Sequence, residues 1–268
     1  MKLATIIFSK NRAMQAHACL TSLKKHAQDY SKIDIFVLYK ATEYEHQYEI
    51  LKKEFPEVSF ILEIELTKQI CGIILKYDAI MFVVDDTVFY RSFNALICTE
   101  ILFKTTGAIG FSLRLGKNIN WTYLSKVELK LPNTWREIRK GYYRYKWKGL
   151  YMDFGYPMEV SSSIYKTRDI EPILRNIKGD PGHIESVLNQ HKGKSRLKKP
   201  YLLCHKNSVA FASPINIVRD CTKCGAGQKY PHSTKELAML FDEGKRIDIT
   251  KIPKEINACH QEMECIFI

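Results

Sequence analysis

The sequence predicts an α/β fold with a mixed, mostly parallel sheet flanked by helices. Three observations support this prediction. The first hundred residues alternate short apolar strands with helical patterns, the apolar run 79–84 ends in two adjacent carboxylates, and 46% of the 268 residues are hydrophobic. Alternating strands and helices are typical of parallel sheets, and a chain of this length and composition can bury a substantial core.

Apolar periodicity and helix breakers define the elements of the first half. Strands are predicted at 3–9, 33–39, 58–64, 79–84 and 109–115, and helices at 12–27, 43–55, 67–77 and 92–103. Pro56 ends the second helix. Ligands of such folds bind at the carboxyl ends of the strands. Residues 9–12 and 85–86 lie at two of these ends.

The second half begins with an aromatic, basic segment. Residues 121–156 contain all three tryptophans among tyrosines, lysines and arginines and show no sustained period, so we expect loops there. Their rings suit sugar faces or bases, or simply hold the loops down. Further strands are predicted at 158–166, 201–211 and 264–268, and helices at 169–177, 181–191 and 234–243. Residues 1–115 and 116–268 are expected to form two halves of one domain.

Net charge indicates the kind of partner. The chain carries 41 Lys and Arg against 29 Asp and Glu, a net charge of +12, which favours phosphates, nucleic acid or an anionic membrane face. No apolar run is long enough to span a bilayer, and the N-terminus has the pattern of a strand rather than of a signal peptide. We expect a cytoplasmic protein, with peripheral contact at the inner face of the membrane compatible with its charge.

The cysteines leave two alternatives open. Eight cysteines without a secretion signal are expected to be reduced. Cys221 and Cys224 have zinc-knuckle spacing, and Cys259, His260 and Cys265 are potential further ligands. A single CxxC is a weak indication, and the alternative is a loop with incidental thiols.

Asp85 and Asp86 end a buried strand, and their repulsion requires a metal ion, an Arg or Lys, or a polar ligand. A divalent cation bridging to a diphosphate meets that requirement, because carboxylate oxygens suit Mg²⁺ or Mn²⁺. The alternative is a turn in which the two residues cap the next helix.

The loop after the first strand also attracts ligands. Free N–H groups at the start of the following helix bind anions, and Lys10 and Arg12 add positive charge. The alternative is that Asn11 caps the helix beside two solvated basic residues. Neither GxGxxG nor GxxxxGK[ST] is present, which argues against a dinucleotide dehydrogenase or a P-loop NTPase.

The residues from Thr5 to Arg12, Gln15, the run 20–23 and the run 82–86 together resemble GT-A fold glycosyltransferases, notably family-2-like bacterial enzymes. The resemblance covers about the first 115 residues. It implies a GT-A-like, Rossmann-like sheet and transfer of a sugar from a nucleotide diphosphate sugar, UDP-linked, to an acceptor hydroxyl. Residues 1–115 would bind the nucleotide sugar and the aromatic-rich residues 116–268 the acceptor.

The resemblance also implies roles for particular residues. Those expected to bind the nucleotide sugar are Ser9, Lys10, Asn11, Arg12, Asp85 and Asp86. Asp86 would hold Mn²⁺ or Mg²⁺. The usual motif is Asp-x-Asp, whereas Thr87 follows the pair here, so which carboxylate contacts the metal stays open. His260 is a further candidate metal ligand, and His205 is its competitor.

Transfer with inversion requires a general base, and Asp153 and Glu185 are the candidates. Asp153 follows the aromatic segment, where a turn would aim it into a cleft. Glu185 lies in the first turns of a helix that Asp180 is predicted to cap, where a favourable interaction with the helix dipole is the structural alternative.

The expected partners are a nucleotide diphosphate sugar and a glycan or lipid-linked sugar acceptor. Nucleic acid is not expected, because the basic residues are spread along the chain without a recognised nucleic-acid motif. A basic nucleic-acid-binding protein and a nucleotidyltransferase are the alternative functions.

Overall fold

The computed structural model describes residues 1–123, 125–218, 228–253 and 255–268. Its strands are β1 (Leu3–Lys10), β2 (Asp34–Lys40), β3 (Ser59–Leu62), β4 (Ala79–Val84), β5 (Thr87–Phe89), β6 (Ala108–Ser112), β7 (Trp121–Thr122), β8 (Val127–Glu128), β9 (Arg136–Arg139), β10 (Tyr142–Lys146), β11 (Ser162–Lys166), β12 (Tyr201–His205) and β13 (Ala210–Ala212). Its helices are α1 (Ala13–His26), α2 (Glu45–Glu54), α3 (Leu66–Ile74), α4 (Ala95–Lys104), α5 (Thr167–Leu174), α6 (Pro181–His191) and α7 (Thr234–Asp242).

Across these ranges the main sheet has nine strands in the order β3-β2-β1-β4-β11-β6-β12-β10-β9. β1 pairs in parallel with both β2 and β4, while β11 runs antiparallel to its neighbours β4 and β6. The predicted mixed, mostly parallel α/β fold is confirmed. Phe8 pairs with Val84, so the residues that follow β1 and β4 leave the sheet side by side.

Two apolar layers cover the sheet. On one face α1, α2, α4 and α7 pack against strand residues such as Ile7, and on the other face α3, α5 and α6 pack against neighbours such as Ile6 and Phe8. Successive residues of β1 thus point to opposite layers, as expected for a strand buried on both faces. None of the helices in the described ranges has the length and apolarity needed to cross a bilayer.

The aromatic segment differs from the sequence prediction. β9 and β10 form a hairpin that extends the main sheet, and β10 pairs antiparallel with β12. Gly141 turns the chain with φ of +83°, a conformation that glycine adopts without strain. The sequence of β10 does not show the alternation of polar and apolar residues that is typical of a strand, because both faces of β10 carry tyrosine. Tyr142 packs on one apolar layer and the buried Tyr145 packs on the other. The expectation of loops is therefore wrong for residues 136–146.

Two strand predictions near the C-terminus also need correction. The predicted strand 201–211 is divided into β12 and β13, and β13 pairs with β5 outside the main sheet. Residues 264–268 form no regular strand, and the β pairing assigned within them is an isolated bridge between Phe267 and Ile247. By contrast, α6 begins as predicted, because the Asp180 side chain accepts a hydrogen bond from the His183 backbone N–H at 2.8 Å.

Candidate active site

The carboxyl ends of β1 and β4 bring the predicted donor-site residues together. The Asp85 backbone N–H donates to the Phe8 carbonyl at 3.0 Å, which continues the pairing of the two strands. The Ser9 hydroxyl donates to Asp85 Oδ2 at 3.0 Å, and the Lys10 backbone N–H approaches the same oxygen at 3.3 Å. Strand pairing and these donors fix the Asp85 carboxylate beside the loop after β1.

Arg12 is the cation that offsets the paired carboxylates. Its Nη1 lies 3.1 Å from Asp85 Oδ1 and 3.4 Å from Asp86 Oδ2. The sequence predicts a metal ion, an Arg or Lys, or a polar ligand beside the two carboxylates. An arginine is present there. The alternative in which the pair caps a helix is wrong, because β5 follows directly.

Arg12 is itself held by a residue from the second half of the chain. Its Nε donates to Asn216 Oδ1 at 2.9 Å, and Nη2 donates to the Asn216 carbonyl. Gln15 Nε2 donates to the same Oδ1 at 3.3 Å. The acidic pair is thus connected through Arg12 to the segment after β13, a contact between distant parts of the chain that sequence spacing does not indicate.

Tyr48 contacts the loop that follows β1. The sequence did not indicate a role for this residue. Its hydroxyl lies 2.6 Å from Ser9 Oγ and accepts a hydrogen bond from the Arg12 backbone N–H at 3.2 Å. Its ring stacks on Tyr39 with centroids 4.5 Å apart. Burial raises the pKa of Tyr48 above its ordinary value, so the hydroxyl stays protonated.

Asn11 joins β1 to the loop after β2. It adopts a positive φ of 55°, donates from Nδ2 to Thr42 Oγ1 at 2.9 Å, and accepts from the Thr42 backbone N–H at 3.0 Å. Asn tolerates this backbone region better than most residues. The alternative of an Asn11 helix cap is wrong, because Arg12 occupies the N-cap position of α1.

The electrostatics of the pair leave one oxygen available. Burial raises the pKa of Asp86 to about 6, while the Arg12 charge opposes that rise and Asp85 adds to it. Burial also raises the pKa of Asp85. Asp86 Oδ1 is buried and has no hydrogen-bond partner among the described residues. A hard cation at this oxygen would satisfy it, so the donor set fits a divalent metal.

The number of protein ligands at such a metal is limited. Nowhere in the described ranges do three or more His, Cys, Asp or Glu side chains form a group able to hold a metal ion. A cation on Asp86 would therefore take most of its oxygen ligands from a bound ligand and from water, as Mg²⁺ does in many phosphate sites.

A second buried cluster surrounds Arg114. This guanidinium is 4% exposed, with Nη2 3.6 Å from Asp153 Oδ1 and Nε 3.8 Å from Glu159 Oε2. Glu159 accepts hydrogen bonds from the Ser162 backbone N–H at 3.0 Å and from the hydroxyls of Ser161 and Ser163. Neither Arg114 nor Glu159 was singled out in the sequence, because a charge within a strand-like pattern does not indicate its burial.

Besides Asp153, two further predicted site residues, His260 and Glu185, lie near Arg114. Burial, followed by the Arg114 charge, lowers the pKa of His260 to about 4, while Asp153 opposes that effect. Glu185 accepts from the Tyr156 hydroxyl at 3.1 Å and from the Val160 backbone N–H at 2.9 Å. His260 therefore lies with Asp153 around Arg114, and it is neutral near pH 7.

Short links connect the acidic pair with the Arg114 cluster. The Thr87 hydroxyl donates to the Ser161 carbonyl at 2.7 Å, and the Ser213 backbone N–H donates to the Asp86 carbonyl at 2.7 Å. Ala212, next to Ser213, forms a bridge with His260. The predicted donor and catalytic residues thus lie in adjacent parts of the molecule.

The remaining candidates lie elsewhere. His205 Nε2 is 3.4 Å from Cys98 Sγ, and its ring packs against Phe111 and Tyr142. Cys221 and Cys224 lie outside the described residues, so the zinc alternative stays a prediction. The other two potential thiol ligands, Cys259 and Cys265, are free and buried.

The sheet order, with an acidic strand end beside β1, defines an α/β fold of the GT-A type. Known proteins are similar to this chain, among them the following two. Bifunctional glycosyltransferase pgtA of Dictyostelium discoideum is 26% identical over 243 residues, which cover 80% of this chain. The 1–349 fragment of S. aureus TarS, solved in complex with UDP, superposes with a TM-score of 0.51 at 14% identity, covering 80% of this chain and 61% of the fragment. The predicted resemblance to glycosyltransferases is confirmed.

The extent of these matches is partial. The aligned region is 32% of pgtA, and another structure of S. aureus TarS, with a TM-score of 0.50 and 13% identity, is covered over 36% of its chain. The chain therefore spans about a third of each relative. No established family profile matches the sequence.

Proposed function

We propose that this chain is a glycosyltransferase that moves a sugar from a UDP-linked donor to an acceptor hydroxyl with the help of a divalent cation. The observation that carries the proposal is the carboxylate pair at the end of β4, where Asp86 Oδ1 is buried and meets no hydrogen-bond partner in the described ranges. The similarity to pgtA and the fold shared with UDP-bound TarS support the same reaction class.

On the donor side, Asp86 would hold Mn²⁺ or Mg²⁺ through Oδ1. Asp85, fixed by Ser9 and Arg12, would face the ribose. When bound, the metal would neutralise charge on the departing nucleoside diphosphate. Lys10 is exposed at the same strand end and is available to the phosphates.

On the acceptor side, the contacts favour Asp153 over Glu185 as the general base. Both Glu185 oxygens accept hydrogen bonds from the protein, which suits a residue that positions the 156–160 segment. Asp153 contacts Arg114 through Oδ1 at 3.6 Å, and a carboxylate is a group that can take the proton of an acceptor hydroxyl. His260, neutral in this environment, is the proposed additional metal ligand.

The proposed acceptor is a glycan or a lipid-linked sugar that contacts the aromatic residues of 121–156. The net charge of +12 supports peripheral contact with an anionic membrane at the cytoplasmic face. Nucleic acid is not among the proposed partners.

The test compares Asp86→Asn with Asp34→Asn, an exposed carboxylate at the opposite end of the parallel strands. Thermal stabilisation by UDP with Mn²⁺ and hydrolysis of a panel of UDP-sugars are measured. We expect Asp86→Asn to lose the Mn²⁺-dependent stabilisation and to reduce hydrolysis about 100-fold or more, because it removes a charged ligand of the metal.

Asp34→Asn should behave as the unchanged protein in both measurements. If Asp86→Asn kept Mn²⁺-dependent stabilisation and hydrolysis, the metal assignment would be wrong. If UDP and UDP-sugars stabilised neither protein, with or without Mn²⁺, the donor assignment would fail as well.

A further inference from the structure

A second cleft lies between the last turn of α4 and the β9–β10 hairpin. Its volume is about 480 Å³, within the range of small-molecule sites. The residues that define its chemistry are Glu100, Ile101, Lys104, Ile138, Arg139 and Arg144. None of them belongs to the acidic pair or to the Arg114 cluster.

The cleft is separate from the candidate active site. Between β10, which carries Arg144, and β4, which ends in the acidic pair, lie β12, β6 and β11. With neighbouring strands about 4.8 Å apart, four strand steps give a separation of about 19 Å across the sheet. A ligand in this cleft would not compete directly for the oxygens of Asp85 and Asp86.

Two arginines give the cleft its charge. The Arg144 guanidinium lies 4.2 Å from the centroid of the Tyr201 ring, and that of Arg139 lies 5.9 Å from the Tyr142 centroid. In the described part of the chain neither guanidinium takes part in an ion pair or a side-chain hydrogen bond. Ring stacking orients each group while leaving its N–H donors available.

The other charged groups of the cleft neutralise each other. Lys104 forms an ion pair with Glu100 one turn earlier in α4. Arg139 is close enough to Glu100 to help lower the pKa of that carboxyl, after the larger effect of Lys104. Among the described residues that line the cleft, three cations stand against one carboxylate, so the cleft keeps a net positive charge. Ile101 and Ile138 add apolar surface to the lining of the cleft.

We propose that this cleft binds a phosphate-bearing small molecule. Arg139 and Arg144 would donate to phosphate oxygens, because guanidinium groups match the geometry of phosphate with paired N–H donors. Ile101 and Ile138 would contact the non-phosphate body of the ligand. The phosphate belongs either to a free phosphorylated compound or to a phosphorylated acceptor of the proposed transfer, since both present the same group.

The experiment titrates the full chain with inorganic pyrophosphate by calorimetry, and NMR shifts at residues 100–106 and 138–144 locate the binding. Arg144→Gln and Arg139→Gln are compared with Lys146→Gln, which removes an exposed charge from the same strand β10 outside the cleft. Each arginine variant should weaken binding about 10-fold, the loss of a charge-assisted hydrogen bond, while Lys146→Gln should have little effect.

Equal weakening by all three variants would mean nonspecific attraction to a basic surface and would overturn the proposal. Absence of pyrophosphate-dependent shifts in the cleft, tighter binding of the dicarboxylate succinate, or preference for an RNA oligonucleotide would also overturn it. If a phosphate monoester binds in the cleft and leaves the hydrolysis of UDP-sugars unchanged, the ligand is a free phosphorylated compound. If the same monoester increases sugar transfer from a UDP-sugar, the ligand is a phosphorylated acceptor. This test does not depend on whether the chain uses a UDP-sugar donor, because NMR shifts locate the bound pyrophosphate without any enzymatic reaction.

Discussion

At the scale of single residues, the guanidinium of Arg12 neutralises two adjacent carboxylates at the end of β4. An apolar strand ending in Asp85 and Asp86 required a nearby positive charge, and Arg12 is present there at 3.1 and 3.4 Å. Arg12 contacts the two carboxylates because β1 lies next to β4 in the sheet. Local periodicity does not indicate the order of strands in a sheet, so the sequence does not identify Arg12 as the partner. Asn216 was missed for the same reason, since it contacts Arg12 across 204 positions of chain.

The role of Asp153 is testable through its difference from Glu185. Asp153→Asn should reduce hydrolysis of a UDP-sugar by about 100-fold or more with unchanged UDP binding, because a positioned general base contributes about that factor. Glu185→Gln should chiefly lower the free energy of unfolding, because only one amide oxygen remains for two donors, and either the Tyr156 hydroxyl or the Val160 N–H would face the N–H₂ group. Hydrolysis rates, UDP affinity and urea denaturation are measured for both variants.

The opposite pattern, with hydrolysis lost in Glu185→Gln at unchanged stability and kept in Asp153→Asn, would assign the base to Glu185. Hydrolysis kept in both variants would exclude both carboxylates as the base.

At the scale of elements, periodicity predicted most helices and the first four strands, because their apolar residues recur at one period. It failed where both faces of a strand carry aromatic rings, as at Tyr142 and Tyr145 in β10. It also failed to indicate that β11 lies between β4 and β6, a position decided by packing of the whole sheet.

The contact between β6 and β11 requires a glycine. A Cβ at Gly110 would lie 2.6 Å from Cε1 of Tyr165, whose ring is fully buried, and 3.2 Å from the Ile164 carbonyl oxygen. Gly110→Ala should lower the free energy of unfolding by about 1–3 kcal/mol, the usual cost of overpacking. Urea denaturation followed by circular dichroism measures the change.

Gly72 in α3 is the matched control, since a Cβ there meets no atom within 4 Å. Gly72→Ala should leave stability unchanged or raise it by up to about 1 kcal/mol, the helix propensity difference. Equal stabilities for Gly110→Ala and the parent protein would show that the Tyr165 ring moves aside.

At the scale of the whole molecule, stability should depend on pH through buried histidines. Burial lowers the pKa of His205 to about 4 from its ordinary value of 6.5. Between these values the unfolded chain binds a proton that the folded chain does not, so stability falls as the pH decreases through this window. At about pH 5 the cost from His205 is about 2 kcal/mol relative to neutral pH.

His205→Gln should therefore lose less stability than the parent protein when the pH is lowered from about 7 to about 5. His46→Gln, which replaces an exposed histidine on α2, should follow the parent protein. Denaturant midpoints at the two pH values provide the comparison. Identical pH dependence in His205→Gln and the parent would show that His205 contributes nothing to acid sensitivity.

The position of β11 has a consequence for biosynthesis. Residues 162–166 supply the strand that joins β4 to β6. While the ribosome has released only the first half of the chain, β4 exposes one unpaired edge of main-chain N–H and C=O groups next to an apolar surface. Such an edge can pair with another nascent chain, and it is covered only once residues 162–166 have been synthesised.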